Sequence, residues 1–514
     1  MHPDAILVAP PRLTPLYGPA TMTIHDDPRF SATADGDLET FRKFGDEALA
    51  LLSLFVEHSR AGEGRVLLQT PLPELVRQLE LDRWIREGGM DGAAFGRFLE
   101  RYLADCTRLN HPNYMGHQVA VPLFPSALAD LVHGTLNNGM AVYEMGSAGV
   151  AVETAVIDWM LAKVGWRPEE VPFGEVDGAA GPRAGGVLTH GGSLANLTAL
   201  LAARAAAAPD AWKEGVPRDL AVLAPASAHY SIARAVAILG LGSDAMVPID
   251  VDGLGRMDPA GLDRAYEEAV GTGRRVIAVV ANACNTPAGV YDPLDAAADF
   301  CEEHELWLHV DGAHGASALL SPDLRGRLAG LERAHSVVWD AHKMLGASTL
   351  CAAVLVRDVA WLTGAFQQEG SYLVADRPDG PGPDLLGRTL ECTKGSIGLK
   401  LFLILALHGE DGLRRHVEVL HERARTAHAV LHERAGFVTA CTPESNIVLF
   451  RHEASDDARH AAIRDALVRA GEFYITQTEL GGRLWLRLVL MNPLTDASVV
   501  ERLLDQVEAL AAGN

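Results

Sequence analysis

Nowhere in the 514 residues do lysine and arginine gather into a block, and 44 of them face 67 aspartates and glutamates for a formal charge of −23. A chain this acidic repels phosphate backbones and lacks a positive stripe, so nucleic acid is excluded as a partner. Only six cysteines occur (Cys106, Cys284, Cys301, Cys351, Cys392 and Cys441), and no two form a CxxC pair. That rules out a disulfide framework and a zinc-ligand pattern, and the thiols are expected to be reduced. Long apolar runs are missing too: the longest, residues 399–407, is interrupted by Lys400 and is far too short to span a bilayer. The opening MHPDAILVAPPRL has no basic start followed by an apolar stretch, so no membrane partner is expected and the chain reads as cytoplasmic.

At 514 residues the chain is too long for one core, and two or three packed units are expected. Residues 1–110 read as a helical arm, because in FRKFGDEALALLSLFVEHSR Phe41, Phe44, Ala48, Leu51, Leu52 and Phe55 recur on one face. From about Gly185 short apolar runs alternate with helix-like segments: GGVLT, DLAVLAP, VIAVVANA, LWLHVDGA and SVVWDAHK. Repeated strand-then-helix units imply an α/β fold with a mostly parallel sheet, placed here in a large domain of residues 111–385. The Gly- and Pro-rich RPDGPGPDLLGR, residues 377–388, predicts a mobile surface loop before a smaller α/β domain of residues 386–514.

Ligands collect beyond the carboxyl ends of such strands, and His229, Asp311 and Lys343 each lie just after an apolar run. In THGGSLANLTALLAARAAAA, Gly191, Gly192 and Ser193 stand between a strand and an Ala/Leu-rich helix that Pro209 closes. Backbone amides, a hydroxyl and a helix N-terminus there make a phosphate cup, with an ordinary N-cap turn as the alternative. No lysine follows as in a P-loop, and the turn is not GxGxxG. Asp311 ends the apolar LWLHVD and needs a partner, since burying an unpaired charge is costly. A protonated pyridine nitrogen would serve, as would an arginine or a helix N-terminus. Lys343 follows SVVWDAH, an apolar context that lowers an amine's pKa and makes it a nucleophile toward an aldehyde, whereas a lone lysine is ordinarily surface charge. A phosphate cup, an aromatic-type residue in ASAHYSIARA, a strand-end acid and a strand-end lysine in this order are the handles that pyridoxal 5'-phosphate needs. His309, His314 and His342 with Asp311 offer a metal cluster as a weaker alternative, without an HxxxH pair and with Lys343 unexplained.

The stretches HPNYMGHQ with NNGMAVYE, GGVLTHGGSLANLTALLAAR, SAHYSIARA, NTPAGVYDPL, LWLHVDGAHGASALLS, SVVWDAHKML and LWLRLVLMNP resemble the pyridoxal-phosphate-dependent group II amino-acid decarboxylases, the family of the glutamate, cysteine sulfinate, diaminobutyrate and aromatic amino-acid enzymes. The resemblance runs from about His111 to the C-terminus. It implies the aspartate-aminotransferase type I fold, and an obligate homodimer with interface active sites and an N-terminal arm swapped onto the partner. It further implies that Lys343 carries the cofactor as a Schiff base, Asp311 pairs with the pyridine nitrogen, Ala313 packs beneath the ring and His229 stacks above it. Gly192, Ser193 and His342 would hold the phosphate, and Thr286 would sit near the ring oxygen. His117 and Arg487 occupy the positions that contact substrate in relatives, with a structural ion pair as the alternative for Arg487.

Three departures stand out. Leu194 replaces a frequent acid after the GGS turn, and Lys394 in ECTK replaces an arginine, turning a bidentate contact into a point charge and leaving substrate choice open. No tyrosine lies between Ala375 and Arg388 to reprotonate Cα, which leaves His229 or Tyr372 as donor. The expected activity is decarboxylation of a small, polar, acidic or diamino L-amino acid. The alternatives are an aldehyde-forming oxidative deaminase or another Cα lyase or transaminase, and a non-catalytic protein that keeps the fold.

Overall fold

Runs such as RVIAVVAN, WLHVD and SVVWD are apolar along nearly their whole length rather than at alternate positions, the pattern of strands covered on both faces. The computed structural model of the protein, which describes residues 34–168, 182–366 and 382–513, forms such strands. Its described residues divide into two compact units, residues 34–55 with 70–105 and residues 56–69 with 106–513.

The first unit is helical, built from α1 (Ala34–Arg60, whose last residues belong to the second unit), α2 (Leu72–Gln78), α3 (Leu81–Glu87) and α4 (Gly92–Ala104). Phe44 of α1 stacks on Phe95 of α4 with ring centroids 4.8 Å apart. Ala48, Leu51 and Phe55 on that face are half-buried, whereas Phe41 and Leu52 are exposed.

The second unit begins with β1 (Tyr114–Met115), α5 (Phe124–Leu136), α6 (Tyr143–Val164), β2 (Gly185–Thr189), α7 (Gly192–Ala207), α8 (Ala211–Glu214), β3 (Leu220–Pro225) and α9 (Tyr230–Ile238). It continues with β4 (Met246–Ile249), α10 (Pro259–Gly271), β5 (Arg275–Asn282), α11 (Leu294–Glu303), β6 (Trp307–Asp311), β7 (Ser336–Asp340), β8 (Ala352–Val356) and α12 (Val359–Ala365). The C-terminal part holds α13 (Gly398–Glu433), β9 (Phe437–Thr439), β10 (Ile447–His452), α14 (Asp457–Ala470), β11 (Tyr474–Leu480), β12 (Arg483–Val489) and α15 (Ala497–Ala511).

Seven strands form a sheet in the order β2-β8-β7-β6-β5-β3-β4 in which only β8 runs against its neighbours. A second sheet has the order β1-β11-β12-β10-β9. Tyr114 and Met115, grouped by chain order with residues 111–385, pair with Tyr474 and Ile475 in this C-terminal sheet. The segment that begins at His111 is thereby anchored among the last strands of the chain.

By length and composition α6 is apolar enough to cross a bilayer, the one such helix among those described. It packs on β2 and α13 and buries Glu153 and Asp158. Lys394, read from sequence as standing at a contact that bears on substrate choice, is buried here. Its Nζ pairs with Glu153 and donates to Leu188 O at 2.5 Å, while Leu188 N donates to Glu153 Oε1 at 2.9 Å. The pair thus pins β2 just ahead of the glycine turn, and a buried pair is costly to break from one side. Lys394→Met is expected to lose about 3–5 kcal/mol in urea unfolding. Adding Glu153→Leu should restore much of that loss, and a single-variant cost below about 1 kcal/mol would show that the pair is not structural.

Candidate active site

The carboxyl ends of β5, β6 and β7 lie side by side. Asn282 ends β5 in register with Asp311 at the end of β6, and Asp311 is in register with Val338, two residues before the end of β7. A cavity of about 290 Å³ opens over these ends, where α/β sheets place their ligands. Gly192, Ser193, His229, Thr286, Asp311, Ala313, His342 and Lys343 all line it, whereas His117 and Arg487 do not.

The wall facing β7 is the glycine turn. Gly191 caps α7 with φ of +105°, a conformation that side chains avoid. A Cβ on Gly192 would fall 2.7 Å from Asp340 Oδ2, so only glycine lets the turn and that carboxyl meet. Asp340 is buried, and its Oδ1 has no hydrogen-bond partner among the described residues. Burial raises its pKa, although Lys343 Nζ at 3.3 Å and His342 Nε2 at 3.7 Å pull the other way. His342 Nδ1 lies 2.8 Å from Cys351 O, which leaves its other nitrogen on the cavity side. A helix N-terminus, a hydroxyl and an imidazole around one small turn suit a phosphate-bearing ligand.

Asp311 is buried and forms no ion pair among the described residues. Asn196 Nδ2 donates to its Oδ2 at 2.9 Å and Ala313 N to its Oδ1 at 3.2 Å. Neither contact supplies charge, so the site retains an uncompensated negative group that suits a cationic ring nitrogen. His229 is half-buried as the N-cap of α9, and burial lowers its pKa. Thr286 sits in a turn that Asn285 organises by accepting from Ala288 N and Gly289 N, both at 3.0 Å.

Arg487 on β12 is buried too, and its partners are neutral. It donates to Thr286 O at 2.8 Å, and to Pro287 O and Gln118 Oε1 at 3.2 Å each. No described acid pairs with it, so the structural ion pair weighed for it does not form; burial lowers its pKa to about 10. His117 is exposed, with Nε2 2.9 Å from Tyr474 Oη. Gln118, its neighbour, lines the cavity and joins it to Arg487.

Asn196, Ser231, Asp340 and Gln118 complete the site and were not singled out from sequence. Asn196 follows Gly192 by four residues and shares its helix face, a signal that helical spacing carries. Among the described residues no three His, Cys, Asp or Glu side chains are placed to hold a metal ion. His309 and His314, weighed as ligands, are taken up by Ser336 with Asn196 and by Asn446. Residues 377–381 of the expected loop, and Tyr372, lie outside the described residues.

The family model of the pyridoxal-dependent decarboxylase conserved domain matches residues 99–453. The chain belongs to this family. Along 92% of its own length and 92% of the other's, this decarboxylase is 30% identical to L-2,4-diaminobutyrate decarboxylase of Rhizobium meliloti (strain 1021). It is 31% identical to cysteine sulfinic acid decarboxylase of Rattus norvegicus, over 85% of this chain and 90% of the other. Its fold matches the apo form of mouse CSAD with a TM-score of 0.83 and 26% identity, over 92% of this chain and 99% of that one. The α/β architecture is thus the type I pyridoxal-phosphate fold, and the chain is a pyridoxal-phosphate-dependent amino-acid decarboxylase.

Gly192→Ala tests the cup. Cofactor titration followed by absorbance should show affinity at least tenfold weaker, about 1.4 kcal/mol, with a wild-type far-UV spectrum. Unchanged affinity would mean that the turn does not hold the phosphate.

Proposed function

We propose that this decarboxylase acts on a small, polar L-amino acid whose side chain bears an acidic or amino group, releasing CO₂ and the amine. The observation that carries the choice is Arg487, a buried guanidinium whose partners among the described residues are neutral carbonyl, amide and hydroxyl oxygens, linked to the cavity through Gln118. A cation so placed gains most from an incoming carboxylate. The relatives named for diaminobutyrate and cysteine sulfinic acid support the same class.

The proposed roles are those that the family resemblance implies, and the shared cavity lining supports the cofactor contacts. Lys343 would attach the cofactor, and Gly192, Ser193 and His342 would hold its phosphate. Asp311 would pair with the ring nitrogen, Ala313 and His229 would pack against the ring, and Thr286 would contact the ring's edge. When bound, pyridoxal phosphate supplies an electron sink for the bond broken at Cα. Asp311 would keep the proton on the ring nitrogen, Arg487 and His117 orient the substrate, and His229 relays a proton to Cα, taking one on Nδ1 as it gives one from Nε2.

The proposed assembly is a homodimer with the site at the interface. Along α5, Phe124, Leu128, Leu131, Val132 and Leu136 are exposed in one stripe, a patch that a soluble monomer seldom leaves open. Leu350 is 43% exposed and also lines the cavity, so whatever covers it borders the active site. Sedimentation of Leu128→Asp, Leu131→Asp should shift the protein to a monomer with impaired turnover. A monomeric wild type at micromolar concentration would remove the proposal.

Incubating the cofactor-loaded enzyme with single amino acids, and measuring CO₂ and amine, tests the substrate class. Aspartate, glutamate, cysteine sulfinate or diaminobutyrate should be turned over, and Arg487→Gln should raise KM by at least roughly tenfold. Efficient turnover of tyrosine or tryptophan with none of these four would reverse the choice. Borohydride should fix the cofactor on the peptide containing Lys343 and fail to do so in Lys343→Ala.

A further inference from the structure

Behind the cavity, buried side chains form a hydrogen-bond chain with a single direction. It begins at Trp307, whose indole Nε1 can only donate and lies 2.8 Å from Ser336 Oγ. Ser336 Oγ also lies 2.8 Å from His309 Nδ1, and the direction of that bond is set from the other side of the ring. Asn196 Oδ1, 3.0 Å from His309 Nε2, can only accept, so the His309 proton is on Nε2 and its Nδ1 accepts from Ser336. The Asn196 amide cannot be reversed, because its Nδ2 lies 2.9 Å from Asp311 Oδ2 and an oxygen there would face a carboxylate.

The second Nδ2 proton goes to Ser231 Oγ at 3.0 Å. Ser231 passes its own hydroxyl proton to His229 Nδ1 at 2.8 Å, and the Ser231 backbone N–H donates to the same nitrogen at 3.3 Å. Two donors on Nδ1 leave the proton of a neutral imidazole on Nε2, for which no described residue is a partner. Neutrality itself follows from burial, which lowers the pKa of both rings, that of His309 to about 4. Around His229, Asp311 and Asp340 oppose that effect while Lys343 and Arg234 reinforce it.

We propose that Asn196 is a positioning residue that orients Asp311 and, through Ser231, locks His229 as the tautomer with its proton on Nε2. One amide thereby sets two groups on the cavity wall: a carboxylate held to accept and an imidazole held to donate. The consequence for turnover rests on the decarboxylase roles given above, but the tautomer does not.

The test is nitrogen NMR of the cofactor-loaded enzyme labelled with ¹⁵N-histidine, with His229→Gln identifying the resonances. Wild type should show His229 protonated on Nε2 only. In Asn196→Leu and in Ser231→Ala a population protonated on Nδ1 should emerge, and kcat should fall by roughly 10- to 100-fold, the range for removing an outer-shell partner, with KM little changed. Ser231→Thr keeps the hydroxyl and should restore both the tautomer and kcat. A wild-type His229 protonated on Nδ1 overturns the proposal, as do wild-type tautomers in both Asn196→Leu and Ser231→Ala. Should no amino acid release CO₂ while the tautomers behave as stated, the substrate assignment fails and the positioning role stands.

Discussion

An acid that is buried without a cation imposes the most on this fold. Asp311 ends the central strand β6, and its two oxygens accept from Asn196 and from the backbone of Ala313, neither of which carries charge. The carboxylate faces the cavity, so a cationic group bound there would supply the balance. The surrounding chain is arranged accordingly. The parallel order brings the ends of β5, β6 and β7 together, the glycine turn before α7 closes the opposite wall, and Lys343 enters from the end of β7.

Much of this was legible in sequence because the chemistry sits at strand ends, and strand ends are where apolar runs stop. Asp311, Lys343 and the Gly191–Ser193 turn each follow such a run, and all line one cavity. What stayed hidden depends on contacts between distant segments. Nothing in WDAHK tells that Asp340 faces Gly192, and nothing in HPNYMGHQ tells that Gln118 touches Arg487, 369 positions away. Lys394 looked like a departure at a substrate contact because burial is not written in a four-residue motif; its partner Glu153 lies 241 positions earlier. Two of the six apolar positions grouped on α1, Phe41 and Leu52, are exposed, since periodicity marks a face but not what covers it.

The two sheets contribute different things to the site. The seven-stranded sheet supplies Asp311, Lys343 and the cup, whereas the five-stranded sheet supplies Arg487 and holds β1, the strand that delivers His117 and Gln118. The proposed cofactor and substrate contacts therefore come from different sheets of one compact unit.

The account stands or falls on the charge at Asp311. With cofactor labelled with ¹⁵N at its ring nitrogen, NMR of the loaded enzyme reads that protonation directly. The account predicts a protonated nitrogen in the wild type at neutral pH, and an unprotonated one in Asp311→Asn with the cofactor still bound and kcat lower by roughly 10²- to 10³-fold. A ring nitrogen that is unprotonated in the wild type, or equally protonated in Asp311→Asn, would contradict it.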